Sequence, residues 1–359
     1  MPLSRFRFPL LAAAILTLVI AALAGLMRLG WRVPWMPPGW MAAHGPLMFA
    51  GFLGTLISVE RAVALGQRWM YVGPALSALG GVVLLLGFSP KAAQVLIMLG
   101  SLGLVVIFLG IVRRHLALYT VTMAVGAGAW LVGNLVWWGS GRVPFAVPWW
   151  MGFLILTIAG ERLELGRLAN YPPRVLAWFG GGAGMLVLGW GITLGNLDVG
   201  VRWTGAGMVG LAFWLLRYDV ARHTIRKPGL TRFIAICMLS GYIWLAVGGG
   251  LALAFGGVMG GARYDALLHA IFLGFTFSMI FGHAPIIFPA ILGRMIRFSL
   301  RFYGHWGLLH ASLVLRLTGD LLDLFLVRRW GGMLNGIALL IFLLNTVWAV
   351  WGDYRSTKA

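Results

Sequence analysis

The stretch Tyr264–Arg294, YDALLHAIFLGFTFSMIFGHAPIIFPAILGR, decides how the rest of the chain reads. It is apolar over a length that crosses a bilayer, yet it carries two histidines, His269 and His283. Fourteen residues separate them. At about 100° per residue they fall within roughly 40° of each other on a helix, about 21 Å apart along its axis. Each would lie near one side of the membrane, with Thr276 between them on the same stripe. Ionisable groups inside a membrane are costly, so they face the bundle interior and are kept for a purpose.

Composition agrees. Of 359 residues, 60% are hydrophobic and only 10% charged, and the mean hydropathy is +0.91. That is a polytopic helical membrane protein, not a water-soluble domain. The single Cys237 excludes an internal disulfide framework. A net charge of +19 raises nucleic acid as a partner. The basic residues instead fall between apolar runs, as in cytoplasmic loops, which argues against it.

After Arg5 and Arg7 an apolar run extends to about Met27, too long for the core of a cleaved signal peptide. Further runs lie near 40–60, 71–88, 93–112, 117–138, 147–160, 175–195, 201–217, 232–256, 264–293, 305–327 and 331–352. The fold expected is all-α and polytopic, with about twelve transmembrane helices in one integral membrane domain. With both termini inside, inner loops and termini hold 19 Lys/Arg and outer loops 8. The inner set includes Arg113-Arg114, the segment 217–232, and Arg294, Arg297 and Arg301. The asymmetry supports cytoplasmic termini.

Three of the expected helices share a pattern. Gly51-Phe52 in the second precedes Glu60 by nine residues, counted from the glycine. Gly152-Phe153 in the sixth precedes Glu161 at the same offset, and Gly274-Phe275 in the tenth precedes His283 likewise. Regular spacing points to three four-helix pseudo-repeats, near 1–112, 113–217 and 218–359. The plainer reading is that Gly-Phe is common in apolar helices and Glu-Arg marks an inner helix end.

His44, early in the second helix, and His269, early in the tenth, are expected at similar depth near the outer surface. Two imidazoles from facing helices can hold a haem iron from both sides. Met41 and Met48 share the face of His44 at i−3 and i+4. A His/Met set suits haem, or copper in its soft Cu(I) state. The alternative is that both histidines only hydrogen-bond to neighbouring helices. His283 and His310, nearer the inside, could form a second metal or haem site with Glu60 or Glu161. The bland counterpart is that Glu60-Arg61 and Glu161-Arg162 are surface ion pairs and that His283 eases a kink at Pro285 and Pro289. In the eleventh helix Arg316 has Asp320 one turn away as a natural partner, with Asp323 beyond. Asn134 and Asn345 suit interhelical hydrogen bonds. Arg328-Arg329-Trp330, on the outer side, would fit either haem propionates or lipid headgroups.

This arrangement resembles haem-copper oxidase subunit I, whose twelve helices form a pseudo-threefold array with low-spin haem held between helices two and ten. An arginine pair after helix eleven binds the propionates there, as Arg328-Arg329 would here. Local motifs are similar to NnrS, a family of bacterial membrane haem proteins of nitric-oxide metabolism. The matching pieces are His44 with Met48 and Gly51-Phe52, His269 with Gly274 and Met279, and His310 with Arg316 in LHASLVLRLTG. The sixth helix offers Glu161 and no histidine, so an oxidase-type copper centre is not expected. The resemblance implies an inner-membrane protein binding b-type haem, with a diatomic gas as ligand, an external electron donor, and a membrane oxidoreductase as one form of its activity. The rival reading is a proton-coupled or small-molecule transporter without haem, resting on the mid-membrane Arg316/Asp320 and the proline-broken tenth helix.

Overall fold

The computed structural model describes residues 4–292 and 298–356. Arg294 and Arg297, read as inner-loop residues, lie outside them. Among the described residues every regular element is helical. The long helices are α1 (Ser4–Arg28), α2 (Trp40–Leu65), α3 (Arg68–Leu85), α4 (Pro90–Arg114), α5 (Leu118–Ser140), α6 (Val143–Leu165), α7 (Pro173–Thr193), α8 (Leu197–Tyr218), α9 (Leu230–Phe255), α10 (Gly261–Pro289), α11 (Phe302–Leu321) and α12 (Phe325–Ser356). A single-turn helix, Ala221–Thr224, joins α8 to α9. Eleven of them are long and apolar enough to cross a bilayer. The remaining one, α11, spans 20 residues but carries Arg316 and Asp320, which lower its hydropathy. All the expected runs are therefore helices. One correction concerns Asp323: it sits in the turn after α11 with a left-handed φ of 55°, not within the helix. Arg328 and Arg329 lie in the first turns of α12, not in a loop before it.

Helix ends follow local chemistry. Ser89 accepts from Ala92 N at the start of α4, with Pro90 in the first turn, where its missing N–H costs nothing. Asn196 does the same for α8 through Val199 N. Gly66 and Gly141 end α2 and α5 in the left-handed conformation.

The chain divides into two compact units. The first runs through Phe153 and regains the chain from Ile287; the second holds Leu154–Ile286 and everything after the return segment. In the first, α3 packs on α4 and α4 on α5, while α1 lies against α2. Its interior is aromatic: Phe49 stacks on Trp150 at 4.6 Å and Trp130 on Phe153 at 5.0 Å. Asn134 ties three helices together there, donating to Ser101 Oγ (3.0 Å) and accepting from Trp150 Nε1 (3.0 Å). That interhelical bond is the one its sequence position suggests. In the second unit α7, α8 and α9 pack in series and α11 pairs with α12. Small residues permit the close approach: a Cβ on Gly205 would come 2.7 Å from Gly249 O. Where lipid is as apolar as leucine, such backbone-to-backbone packing is what holds helices together.

Candidate functional site

Helices α2 and α10 are not α-helical throughout. Each contains a π-helical stretch of eight residues, Leu47–Gly54 in α2 and Ala270–Phe277 in α10. Both stretches begin four residues before the Gly-Phe glycine and end three after it. Both are followed at the fourth position by a hydroxyl residue, Thr55 and Ser278. Thr55 Oγ1 donates back to Ala50 O at 3.4 Å, and Ser278 Oγ donates to Gly274 O. These bonds occupy carbonyls that the wider π turn displaces from the regular ladder. The glycines are packing sites. A Cβ on Gly51 would come 3.1 Å from Thr17, and one on Gly274 would run into the Trp244 indole. Phe52, Phe153 and Phe275 are all buried. α6 carries Gly152-Phe153 but Leu156 at the fourth position, and it stays α-helical. The shared pattern thus has a structural counterpart in α2 and α10 only. Short π stretches inside α-helices are frequent at functional sites.

In the first unit, His44 stands three residues before the π stretch. Its Nδ1 lies 2.7 Å from Ala21 O on α1. A carbonyl only accepts, so Nδ1 carries the proton and Nε2 the lone pair. Gly25 on α1 makes room for the ring: a Cβ there would come 2.7 Å from His44 Cε1. Trp40 Nε1 donates to Leu85 O (2.9 Å) and pins the start of α2 to the end of α3. Met48 packs with Ala21, Leu47 and Leu85. Glu60 and Arg61 form the expected loose pair at 3.9 Å.

In the second unit, His269 directly precedes the π stretch. Its Nδ1 donates to Asp265 O at 2.8 Å and lies 3.3 Å from Asp265 Oδ1, so it is in the same tautomer as His44. Asp265 is in turn held by Arg316, whose Nε (3.0 Å) and Nη2 (2.8 Å) both reach Oδ2. This corrects the intrahelical pairing of Arg316 with Asp320. The tertiary partner on α10 wins because it offers the guanidinium two hydrogen bonds. Asp320 instead lies beside Asp265 and 3.7 Å from Arg328 Nε on α12. The expected site residues on α10, α11 and α12 are therefore linked through Asp265, which spacing alone does not single out. Arg328 also lies over the Phe325 ring.

His310 takes a different part. Trp244 Nε1, which can only donate, bonds His310 Nδ1 at 2.7 Å. The proton of neutral His310 therefore sits on Nε2, 3.5 Å from Ser278 Oγ. With its lone pair bound by an indole N–H, His310 in this arrangement braces α9, α10 and α11 and has none to offer a metal. His283 Nδ1 donates to Met279 O at 2.8 Å within α10. α10 continues helically through Pro285 and Pro289. Among the described residues no three His, Cys, Asp or Glu side chains gather as a metal cage. His305, not singled out by sequence, is wholly buried; it bonds Asn345 Nδ2 at 3.2 Å and packs edge-on to Phe281 at 4.6 Å.

Elsewhere in the second unit Arg162 grips Asp219 through Nε (2.7 Å) and Nη2 (2.8 Å), both groups buried. Asp219 also accepts from Ala221 N. Arg162 is thus an interior anchor and not half of a surface pair with Glu161.

A family model described as a domain of unknown function, DUF8744, matches residues 7–351, so the chain belongs to that family. No curated protein matches it.

Proposed function

We propose that this DUF8744 member is an integral membrane haem protein for redox or diatomic-gas chemistry, nitric oxide being the gas its motifs favour. His44 and His269 would be the axial ligands of b-type haem. One observation carries the reading. Both histidines stand just ahead of π stretches of the same motif, though His44 is three residues before its stretch and His269 directly before its own, and both are fixed by a carbonyl as the Nδ1–H tautomer. That tautomer keeps the lone pair on Nε2, as an iron ligand requires, and an acceptor bonded to Nδ1 is the usual way proteins aim such a ligand. The donor set therefore fits the group. Arg328 and Arg329 would meet the propionates, joining the existing contact of Arg328 with Asp320. When bound, haem supplies one-electron and gas-ligand chemistry; the chain supplies ligands and a low-dielectric site. The resemblance to NnrS and haem-copper oxidases points the same way, and the same proposal puts the protein in an inner membrane with both termini cytoplasmic.

The test is haem content, measured as pyridine haemochrome in purified protein. Wild type is expected to carry haem, and His44→Ala or His269→Ala to lose it. Full haem content in both variants would end the assignment.

A second reading, proton-coupled or small-molecule transport, draws on the charged chain of Asp265, Arg316, Asp320 and Arg328 across three helices, buried at Arg316 and Asp320 and half-buried at the other two. It predicts colourless protein and a flux in liposomes that depends on Asp265 and Arg316.

A further inference from the structure

We infer that Asp265 is a positioning residue for His269 and that Arg316 limits how strongly it acts on that ring. The inference rests on the haem reading above and adds to it the residues that set the site's redox potential.

The carboxylate divides its oxygens. Oδ2 takes both contacts from Arg316, at 3.0 and 2.8 Å, while Oδ1 lies 3.3 Å from His269 Nδ1. The Asp265 carbonyl adds a second acceptor at 2.8 Å. Four residues apart on one helix, the two side chains share a face, and the ring is folded back over the preceding turn. A carboxylate at Nδ1 strengthens an imidazole as a donor through Nε2. It also places negative charge near the ligand, which favours the more positive oxidation state of a bound metal. Arg316 opposes both effects by drawing on the same carboxylate. Arg316 is buried and Asp265 half-buried, so their surroundings screen this interaction less than bulk water would. Asp320 and Arg328 complete the charged surroundings.

Two substitutions should then act with opposite sign. Asp265→Asn keeps shape and acceptor but removes the charge, and the midpoint potential of the haem should rise. Arg316→Gln frees the carboxylate, and the potential should fall. Arg316→Lys retains the cation and should return it close to wild type. A merely structural role predicts otherwise: loosening the ligand from either side moves the potential the same way, with loss of the low-spin spectrum.

The experiment is a redox titration of full-length protein in detergent, wild type beside these variants and His269→Ala. Opposite shifts with rescue by Arg316→Lys support the inference. Shifts in one direction, or none, in protein whose haem depends on His269, overturn it alone. Wild type without haem overturns both this and the haem reading. If Asp265→Asn does not fold, the Arg316→Gln and Arg316→Lys pair decides: a fall in the first that is absent in the second supports, and no fall overturns.

Discussion

Arg162 and Asp219 form a buried ion pair. Two buried charges joined by two short hydrogen bonds stabilise little relative to an apolar pair, but each is costly without the other. Asp219→Ala or Arg162→Met alone should lower stability by about 3–5 kcal/mol, while Arg162→Met with Asp219→Leu should cost far less. Thermal or denaturant unfolding in detergent reads this directly; additive losses in the double variant would contradict it. The same scale shows where spacing misleads. The i+4 rule joins Arg316 to Asp320, and the dipeptide joins Arg162 to Glu161. Both arginines instead reach carboxylates distant in sequence, Asp265 on α10 and Asp219 just after α8, because such a partner can meet the guanidinium with two bonds. No local pattern ranks such partners. The ring nitrogens are equally hidden: His269 and His310 look alike in the sequence, yet a carbonyl fixes one tautomer and an indole N–H the other.

At the scale of the element, the spans were legible because long apolar runs between charged or Gly/Pro segments leave few alternatives to a membrane helix. Boundaries moved by a few residues, most at the junction of α11 and α12, where Leu322–Leu324 forms the turn and α12 begins before the Arg pair. The π stretches were not legible as such. Their signal was present in part: Gly-Phe recurs in α2, α6 and α10, but only α2 and α10 add a hydroxyl four residues on. A π turn inside an α-helix amounts to one inserted residue. Deleting Leu53 should therefore let α2 close as a regular helix with His44 in nearly the same orientation relative to the residues after the deletion. The expected result is a folded protein that keeps haem, as Leu53→Ala does. A folded deletion variant that lacks haem would show that the irregular stretch itself is needed.

On the scale of the whole molecule, an even number of spans with the charge asymmetry of the loops would put both ends of the chain on the cytoplasmic side. A fluorescent-protein fusion after Ala359 should glow, and an alkaline phosphatase fusion there should be inactive; the reverse pattern would invert the topology. Composition made the membrane class readable from the start, since 60% hydrophobic residues exclude a soluble domain. What the chain does could be read only as far as its histidines, because the ligands of a cofactor are few and the helices that hold them are built like any other. The proposed function requires His44 and His269 to be a pair of iron ligands. The reduced-minus-oxidised absorption spectrum of the purified full-length protein tests this most directly. A Soret band and α/β bands of low-spin b-type haem, lost in His44→Ala and in His269→Ala, are the predicted result. A colourless protein, or bands unchanged in both variants, would contradict it.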